Sequence, residues 1–373
     1  MTRLYVAAGG GGDALAAAIL HRALDTDGPA IIATYAWDRL AVDPLPGPRS
    51  AAEFTGLAAM GRRNHTITAA TRARPPSRST LPRLAGDLAD ALVLLDPTEG
   101  AAGMAAQLAE LAELQRPDTI ALVDVGGDAL ARSDEPGLRS PLADALVLAA
   151  AINLAVPVVV LVAGPGLDGE LTETEVLRAV STNPCALLTA ADVEPFRPTF
   201  EWHPSEATAL LAAAARGIRG KVEVRDAGLT VDLTDTSPAV YELPLADALS
   251  ANPLAEALAH TTALNQAESI TKEHCGFSEI DYERAKHERA AAGPRPPQGF
   301  NLDTAVQHFE HQALARGIDY VTFRRIAEAL GPSHVDTAEL RQHLVATRPG
   351  HYQWPLWALS DQPSSLRRHA RAG

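Results

Sequence analysis

Short apolar runs alternate with stretches of helical periodicity through the first half of the chain. Apolar runs bounded by Gly, Pro or Asp indicate buried strands, and apolar residues three or four positions apart indicate helices that cover them. This alternation predicts an α/β fold built on a doubly wound, mainly parallel, Rossmann-like sheet. The predicted strands are 4–8, 30–36, 91–95, 119–125 and 156–162, and the predicted helices between them are 14–24, 101–114 and 141–154.

The pattern changes after about residue 200, where short strands and longer helices replace the regular alternation. We predict a Rossmann-like core at 1–200, a smaller α+β and helical segment at 201–290 that completes the pocket, and a C-terminal helical extension at 300–373. The Pro-rich segment 291–299 is typical of a linker between the last two. The predicted elements are a helix at 206–216, strands at 221–225, 229–233 and 240–242 around a turn at 226–228, a helical stretch at 244–276, and helices at 303–316 and 320–330.

Composition narrows the class of protein and of partner. The chain has 373 residues, of which 46% are hydrophobic and 21% charged, so it can bury a large core as one large or two ordinary domains. The formal net charge is -14. Nucleic-acid binding depends on neutralising phosphates with Lys and Arg, so we expect small-molecule partners and no nucleic acid.

The cysteine count and the long apolar stretch bear on the compartment. Cys185 and Cys275 are too few for a disulfide framework, and free thiols suit a reducing cytosol. The apolar stretch 143–162 is interrupted by Asn153 and Pro157, so we read it as a helix followed by a buried strand and not as a membrane span. The chain enters a predicted strand directly after Met1, without a leader pattern. We expect a cytoplasmic protein with no membrane partner, able to form a homo-oligomer.

Three predicted strands run directly into glycine-rich loops that carry an aspartate, at 9–13, 126–128 and 164–170. Because the carboxyl ends of parallel strands meet at one edge of a sheet, we expect these loops to bring backbone N–H groups and carboxylates to one crevice. Asp128, Asp168 and Glu170 are the predicted catalytic residues, one of them as general base, and Asp128 and Asp168 the predicted metal ligands. The residues predicted to bind substrate or cofactor are Gly9, Gly10, Gly11, Gly12, Asp13, Asp38, Asp96, Gly126, Gly127, Arg139, Ser140 and Gly166.

The first loop admits two interpretations. Residues 9–14 satisfy the G-x-G-x-x-A pattern between a strand and a helix, and Asp38 follows the second strand where a ribose-binding acid would lie, which favours NAD(P). Asp13, however, falls at the expected helix N-cap, where its carboxylate would repel a pyrophosphate. A metal-bridged phosphate or a cationic substrate group would remove that repulsion, and a plain N-cap is the structural alternative.

The middle loop combines structural and chemical signals. Ser140 and Pro141 form a plausible N-cap and first helical residue, with Asp144 placed to close the helix start. Arg139 is suited to hold a carboxylate or phosphate, although an exposed loop arginine is the commoner case. Asp124 lies inside a predicted buried strand, so we expect it to be paired with an arginine or functional.

Other motifs carry less weight. The chain contains no G-x-x-x-x-G-K-[ST], no H-E-x-x-H and no G-x-S-x-G. His274 and Cys275 are site candidates only if the end of their helix reaches the crevice, and ordinary packing is the favoured interpretation. Residues 201–204 (Glu-Trp-His-Pro) either cap the pocket or form a loop anchored by a buried tryptophan. The paired helices after the linker imitate a helix-turn-helix, but the acidic chain favours a packing or dimerisation segment.

This arrangement of residues resembles a bacterial and archaeal family known only as domain of unknown function family 1152. The resemblance implies a shared architecture and a shared pocket, and supplies no reaction. The pieces that carry it are 6–14, 94–97, 124–130 with Glu135, 138–144, 166–171 and 279–284.

The sequence therefore predicts an enzyme that acts on a small polar metabolite of amino-acid or nucleotide type. Glycine-loop N–H groups beside acidic residues favour transferase- or ligase-like chemistry, with Mg²⁺ and a nucleotide or phosphorylated ligand as the expected cofactor. One alternative is an NAD(P)-dependent oxidoreductase that uses Gly9, Gly11, Ala14 and Asp38. A second alternative is a non-catalytic ligand sensor whose C-terminal helices transmit occupancy.

Overall fold

The computed structural model describes residues 2–25, 28–180, 183–225, 228–291, 301–331 and 336–360. The strands in chain order are β1 Arg3–Ala7, β2 Ile31–Tyr35, β3 Phe54–Thr55, β4 Ala58–Met60, β5 Asn64–Ile67, β6 Arg72–Ala73, β7 Ala91–Leu95, β8 Thr119–Val125, β9 Val158–Ala163, β10 Ala186–Leu187, β11 Gly220–Val224, β12 Leu229–Leu233, β13 Ala239–Pro244, β14 Tyr320–Val321, β15 Tyr352–Gln353 and β16 Leu356–Ala358. The helices are α1 Gly11–Leu24, α2 Leu81–Asp87, α3 Gly100–Gln115, α4 Pro141–Ala151, α5 Glu173–Val180, α6 Ala190–Val193, α7 Arg197–Phe200, α8 Glu206–Ala215, α9 Leu245–Ala251, α10 Pro253–Leu258, α11 Leu264–Cys275, α12 Glu279–Ala291, α13 Leu302–Ala315, α14 Phe323–Leu330 and α15 Thr337–Thr347.

A nine-stranded sheet forms the centre of the molecule, in the order β10-β13-β9-β8-β1-β2-β7-β5-β4. Its five middle strands, β9, β8, β1, β2 and β7, are parallel, and antiparallel strands extend both edges. The fold is therefore mixed α/β with a large, mostly parallel central sheet. From β1 the chain passes by α1 to β2 on one side, and it returns after α3 to β8 on the other side, so the strand order reverses between β1 and β8.

Successive residues of the buried strands face opposite sides of this sheet, which gives two apolar layers. Leu4 and Val6 of β1 belong to the layer shared with α3, α4 and α9–α11, whereas Tyr5 and Ala7 belong to the layer shared with α1 and α8. β8 is buried along its whole length. A strand that helices cover on both faces has a continuous apolar sequence, and this apolar run is why the sequence located β8 correctly.

The insertion after residue 200 differs from the prediction in the place of one strand. β11 and β12 form the expected hairpin, although residues 226–227 of its predicted turn lie outside the described residues. The third predicted strand of that insertion does not join the hairpin. It is β13, which pairs antiparallel with β9 and extends the central sheet. Its apolar residues Val240 and Leu243 are buried there, so long-range pairing decided a position that local pattern left open.

The C-terminal segment also differs, because it contains strands as well as helices. The helix predicted at 320–330 is a strand, β14, followed by α14, and β14 pairs with β11 and β16 in a five-stranded sheet of order β12-β11-β14-β16-β15. Helices α13–α15 cover this sheet around Trp357. The exposed residues of α15 include no Lys or Arg, and its Arg341 donates to the Phe200 carbonyl. Most of the predicted linker and the whole basic tail at 367–371 lie outside the described residues.

Candidate active site

The three glycine–aspartate loops meet at one place, beyond the carboxyl ends of β1, β8 and β9. They enclose a hollow of about 170 Å³, the central hollow, at the point where the strand order reverses. In open α/β sheets this position is the usual site of ligand binding. The loops contribute to its wall Gly9, Gly10, Gly12, Asp13, Asp128, Leu167, Asp168 and Glu170.

The first loop is packed more tightly than a flexible phosphate cradle would be. Gly10 is the N-cap of α1, and a Cβ added to it would lie 2.6 Å from the Trp37 carbonyl oxygen. A Cβ on Gly12 would lie 2.4 Å from Ser205 Oγ. These two positions require glycine because other backbone and side-chain atoms come too close for any larger residue. Asp13 is not the N-cap that the sequence predicted; it lies in the first turn of α1, and its Oδ2 accepts a hydrogen bond from Gly9 N at 2.8 Å.

Six carboxylates gather around the central hollow in two groups. The Asp13 triad consists of Asp13, Asp124 and Asp144, and the Asp168 triad of Asp128, Asp168 and Glu170. Within each triad one carboxylate oxygen from each residue lies within 4.8 Å of the others. The Asp124 and Asp128 carboxyl groups influence each other's pKa, so the two groups adjoin.

Burial and mutual repulsion change the acidity of five of these groups. Burial, followed by the charges of neighbouring acids, raises the pKa of Asp13, Asp128, Asp144 and Asp168 well above the usual range of a carboxyl. Burial also raises the pKa of Asp124 to about 6, although its side chain accepts hydrogen bonds from Gly127 N and Ala129 N. No arginine pairs with Asp124 among the described residues, so the expected arginine partner is absent there and backbone N–H groups are its hydrogen-bond donors.

Two of the carboxylate oxygens are left without any hydrogen-bond partner in the described part of the chain. They are Asp144 Oδ1 and Asp168 Oδ2, and the two residues are only 2% and 9% exposed. Leaving a buried carboxylate oxygen unpaired costs free energy unless a proton or a cation compensates it. Both residues face the central hollow.

Glu170 is the exception among the six acids. Its Oε2 accepts from Arg139 N at 2.6 Å and Ser140 N at 2.8 Å, and its Oε1 accepts from Ser140 Oγ at 2.5 Å and Arg225 Nη2 at 3.0 Å. Burial by itself would raise its pKa, but Arg225 and the Ser140 hydrogen bond outweigh burial and lower it. Ser140 begins α4, as predicted, yet its side chain makes no capping bond because it donates to Glu170.

Arginines reach the hollow from three directions. Arg39, which follows β2, donates to Glu279 Oε1 at 2.5 Å and to Ser140 Oγ at 3.3 Å. Burial raises the pKa of Glu279 to about 7, against the opposing charge of Arg39. Arg225 follows β11, and Arg324 of α14 lies 3.6 Å from Glu206, whose side chain also accepts from Thr322 Oγ1. The C-terminal segment therefore contributes a residue to the wall.

His203 lies in the wall of the hollow with a defined hydrogen-bonding state. It is 5% exposed, and its Nδ1 accepts from Ser205 N at 3.3 Å, so the ring proton is on Nε2. Nε2 has no partner among the described residues. Burial lowers the pKa of His203 to about 4, so the ring is neutral at ordinary pH. Residues 201–204 were predicted either to cap the pocket or to form a loop anchored by a tryptophan. His203 and Pro204 line the hollow, and Trp202 Nε1 donates a hydrogen bond to Asp87 at 2.7 Å.

The structure brings together most, but not all, of the predicted binding residues. Asp38 is in the wall, but its two oxygens accept from Thr80 N and Thr80 Oγ1. Asp96 is bonded to Ala51 N and Thr98 at the other side of β7 and is not in the wall. Gly11 begins α1, and Gly126, Gly127 and Gly166 lie behind the wall, where Gly166 N donates to the Gly126 carbonyl. The predicted residues in the wall are Gly9, Gly10, Gly12, Asp13, Asp38, Asp128, Arg139, Ser140, Asp168 and Glu170.

Sequence reasoning missed residues that come from distant elements. Arg39 had a weak signal, since it directly follows Asp38 at a strand end. Arg225, Glu206 and Arg324 had none, because only tertiary packing brings a hairpin strand, α8 and α14 to the carboxyl edge of the sheet. His274 and Cys275 are not in the wall of the central hollow.

Comparison of the sequence with known proteins identifies one family. A search of curated proteins and a search of solved structures each found no match. No helix in the described ranges is both long and apolar enough to cross a membrane. The model of the family described as "Protein of unknown function (DUF1152)" matches residues 4–287, which include both triads but not Arg324. The chain belongs to this family.

Proposed function

We propose that this protein is an enzyme acting on a small polar metabolite of amino-acid or nucleotide type, by transferase- or ligase-like chemistry that depends on a divalent cation. One observation carries the proposal: Asp168 Oδ2 is buried without a hydrogen-bond partner among the described residues, and both Asp168 and Asp128 line the hollow. Carboxylate oxygens are the ligands that Mg²⁺ prefers, and a cation at Asp128 and Asp168 would compensate both charges.

The surrounding groups support binding of an anionic substrate. A phosphate or carboxylate would bridge the cation and the amino end of α1, where Gly10–Gly12 present backbone N–H groups. Arg139 has an exposed side chain at the wall; its Nη1 donates to the Pro136 and Leu138 carbonyls, which leaves its other guanidinium nitrogens to contact the same anionic group. Asp128 is our candidate for the general base, because its carboxyl group lines the hollow.

Glu170 has a different role in this proposal from the one that the sequence predicted. Each of its two carboxylate oxygens already accepts two hydrogen bonds, from Arg139, Ser140 and Arg225. A carboxylate so engaged is a poor base and a poor metal ligand. We assign it to positioning the loop that carries Asp168.

Thermal shift with chelator-treated protein tests the proposal. Mg²⁺ together with ATP or another phosphorylated metabolite should raise the melting temperature, since a ligand at 100 times its Kd stabilises by about 2.7 kcal/mol. D168N should lose this shift. The matched control is D90N, because Asp90 is an equally buried aspartate outside the hollow that accepts from Ala30 N. An unchanged shift in D168N would contradict the proposal.

A second candidate is an NAD(P)-dependent oxidoreductase, and the strand order favours it. The parallel strands run β7-β2-β1-β8-β9, which is the 3-2-1-4-5 order of dinucleotide-binding sheets, with a glycine loop after the first strand. Two contacts count against it. Gly9 N already donates to Asp13, and the Asp38 carboxylate, which would bind the ribose, already accepts from Thr80. NAD(H) or NADP(H) should stabilise the protein without Mg²⁺ if this candidate is right, and quench its tryptophan fluorescence through Trp37.

A third candidate is a ligand sensor without catalysis. Glu206 lies in the wall of the hollow and binds Thr322 at the N-cap of α14, so occupancy has a physical route to the C-terminal segment. A metabolite that stabilises the protein but is recovered unchanged after long incubation would favour this candidate.

A further inference from the structure

The Asp13 triad is a second acidic site that the proposed reaction leaves unexplained. Its three residues come from three elements: Asp13 from the first turn of α1, Asp124 from the end of β8, and Asp144 from the first turn of α4. One oxygen from each lies within 4.8 Å of the others. Asp13 and Asp144 line the hollow, and Asp124 and Asp144 are only 1% and 2% exposed.

Backbone donors satisfy this triad unequally. Asp124 accepts two backbone N–H bonds and Asp13 accepts one. Asp144 Oδ1 accepts none from the described residues, although its side chain is almost fully buried and forms part of the wall. After burial, the largest effects on the pKa of Asp144 come from four acids, Asp124, Asp13, Glu279 and Glu170.

Protons alone leave this arrangement incomplete. Protonation would remove the charge of Asp144, but its Oδ1 has no hydrogen-bond partner among the described residues. A divalent cation would satisfy that oxygen and cancel the repulsion at once. Oxygens in the ligand shell of Mg²⁺, at about 2.1 Å from the ion, lie roughly 3 to 4 Å apart, which the spacing of the triad permits.

We propose that Asp13, Asp124 and Asp144 hold a second divalent cation beside the one held by Asp128 and Asp168, which makes the hollow a two-metal centre for a substrate with a phosphate ester or anhydride. This inference rests on the proposed function and names its substrate class. Asp124 lies at the end of β8 and Asp128 in the loop directly after it, so the two cation positions would be adjacent. Two adjacent cations stabilise the attacking and leaving oxygens of a displacement at phosphorus.

Manganese binding tests the inference without an activity assay. Chelator-treated full-length protein is titrated with Mn²⁺ alone by calorimetry, and the bound metal is counted after gel filtration. We expect two Mn²⁺ per chain, with an EPR spectrum of two coupled ions. D144N and, independently, D13N should retain one Mn²⁺ and lose the coupled spectrum, and D168N should retain the other. The control D90N should bind two.

The outcomes separate this inference from the proposed function. If D144N and D13N melt cooperatively and still bind as many Mn²⁺ as the wild type, the proposal of a second site is wrong. If in that case D168N alone loses a bound Mn²⁺, the proposed function still stands. Loss of every ion from D144N would indicate one shared centre and would also overturn the inference. Wild-type protein that binds no Mn²⁺ at millimolar concentration would overturn both.

Discussion

Arg225 Nη2 donates a hydrogen bond to Glu170 Oε1 at 3.0 Å, and the same guanidinium nitrogen contacts the Asp168 carbonyl at 2.5 Å. Arg225 follows β11 in the second sheet, whereas Glu170 and Asp168 belong to the loop after β9 in the central sheet. The backbone N of Arg225 also donates to the Glu206 carboxylate at 3.2 Å. This one side chain therefore connects the hairpin to the loop that carries the candidate metal ligand.

Removing Glu170 should destabilise the protein. In E170A the half-buried Arg225 loses its carboxylate partner, and two backbone N–H groups lose their acceptor, so the free energy of unfolding should fall by about 3 kcal/mol. Urea denaturation measures the difference. The control is D232N, which removes an exposed ion pair with Lys221 and should cost about 0 to 1 kcal/mol. Equal effects of the two substitutions would contradict the assignment of Glu170 as a structural anchor.

Replacing Asp144 should have the opposite effect when no metal is present. D144N keeps the shape of the side chain and removes a buried acid whose charged neighbours are acids, so the protein in chelator should gain about 1 to 3 kcal/mol. Thermal melting with and without Mn²⁺ measures this gain. The same variant should be stabilised less than wild type by Mn²⁺. A lower melting temperature in chelator would show that Asp144 is satisfied in a way that the structure does not indicate.

The stability of the metal-free protein should fall as the pH rises. Burial raises the pKa of Asp124 from 3.8 to about 6 and that of Glu279 from 4.5 to about 7, so the folded state holds more protons than the unfolded state between these values. The stabilisation is complete below the pKa that each group has in the unfolded chain, and it is lost as the pH rises through the pKa of that group in the folded protein. For Asp124 alone the free energy lost is on the order of 3 kcal/mol. Melting curves in chelator from pH 4 to pH 8 check the direction. Added Mn²⁺ should reverse it, because a cation binds the ionised carboxylates.

His203 should remain neutral, with its proton on Nε2, over the whole physiological range. Burial lowers its pKa to about 4, and Ser205 N holds Nδ1 as an acceptor. Long-range ¹H–¹⁵N spectra of protein labelled at histidine should show a ring that does not titrate between pH 5 and pH 8, with assignment by comparison with H203Q. A ring that becomes protonated near pH 6.5 would mean that solvent reaches it.

Gly126 should tolerate no side chain. Its φ is +121°, and a Cβ there would lie 2.2 Å from Asp168 Cγ. We expect G126A to cost about 2 to 4 kcal/mol and to weaken Mn²⁺ binding by displacing Asp168. G217A is the matched control, because Gly217 has a φ of +88° but nothing within 4 Å of the added Cβ, so only the backbone cost of about 1 to 2 kcal/mol remains. Similar losses of stability in G126A and G217A would show that the contact with Asp168 is not the cause.

Local signals were sufficient where one element carries its own information. Buried parallel strands such as β8 appear as continuous apolar runs, and Ser140-Pro141 marked the start of α4. The same signals were ambiguous for β13, whose place in the central sheet depends on pairing with β9. They also misplaced Asp13, because a carboxylate in the first turn of a helix and one at its N-cap have similar local sequences.

The sequence by itself determined the alternating α/β architecture and the three loops that deliver Asp13, Asp128 and Asp168 to one edge, because strand periodicity and the parallel direction of the strands are local consequences of the residue pattern. Only the tertiary structure decided which acids are free to act. Glu170 accepts from residues beside α4 and β11, while Asp144, predicted to close the start of a helix, lines the hollow and has an oxygen without a hydrogen-bond partner among the described residues. The difference arises because the availability of a carboxylate depends on donors and charges that lie far away in the chain, and these reach it only when the protein is folded.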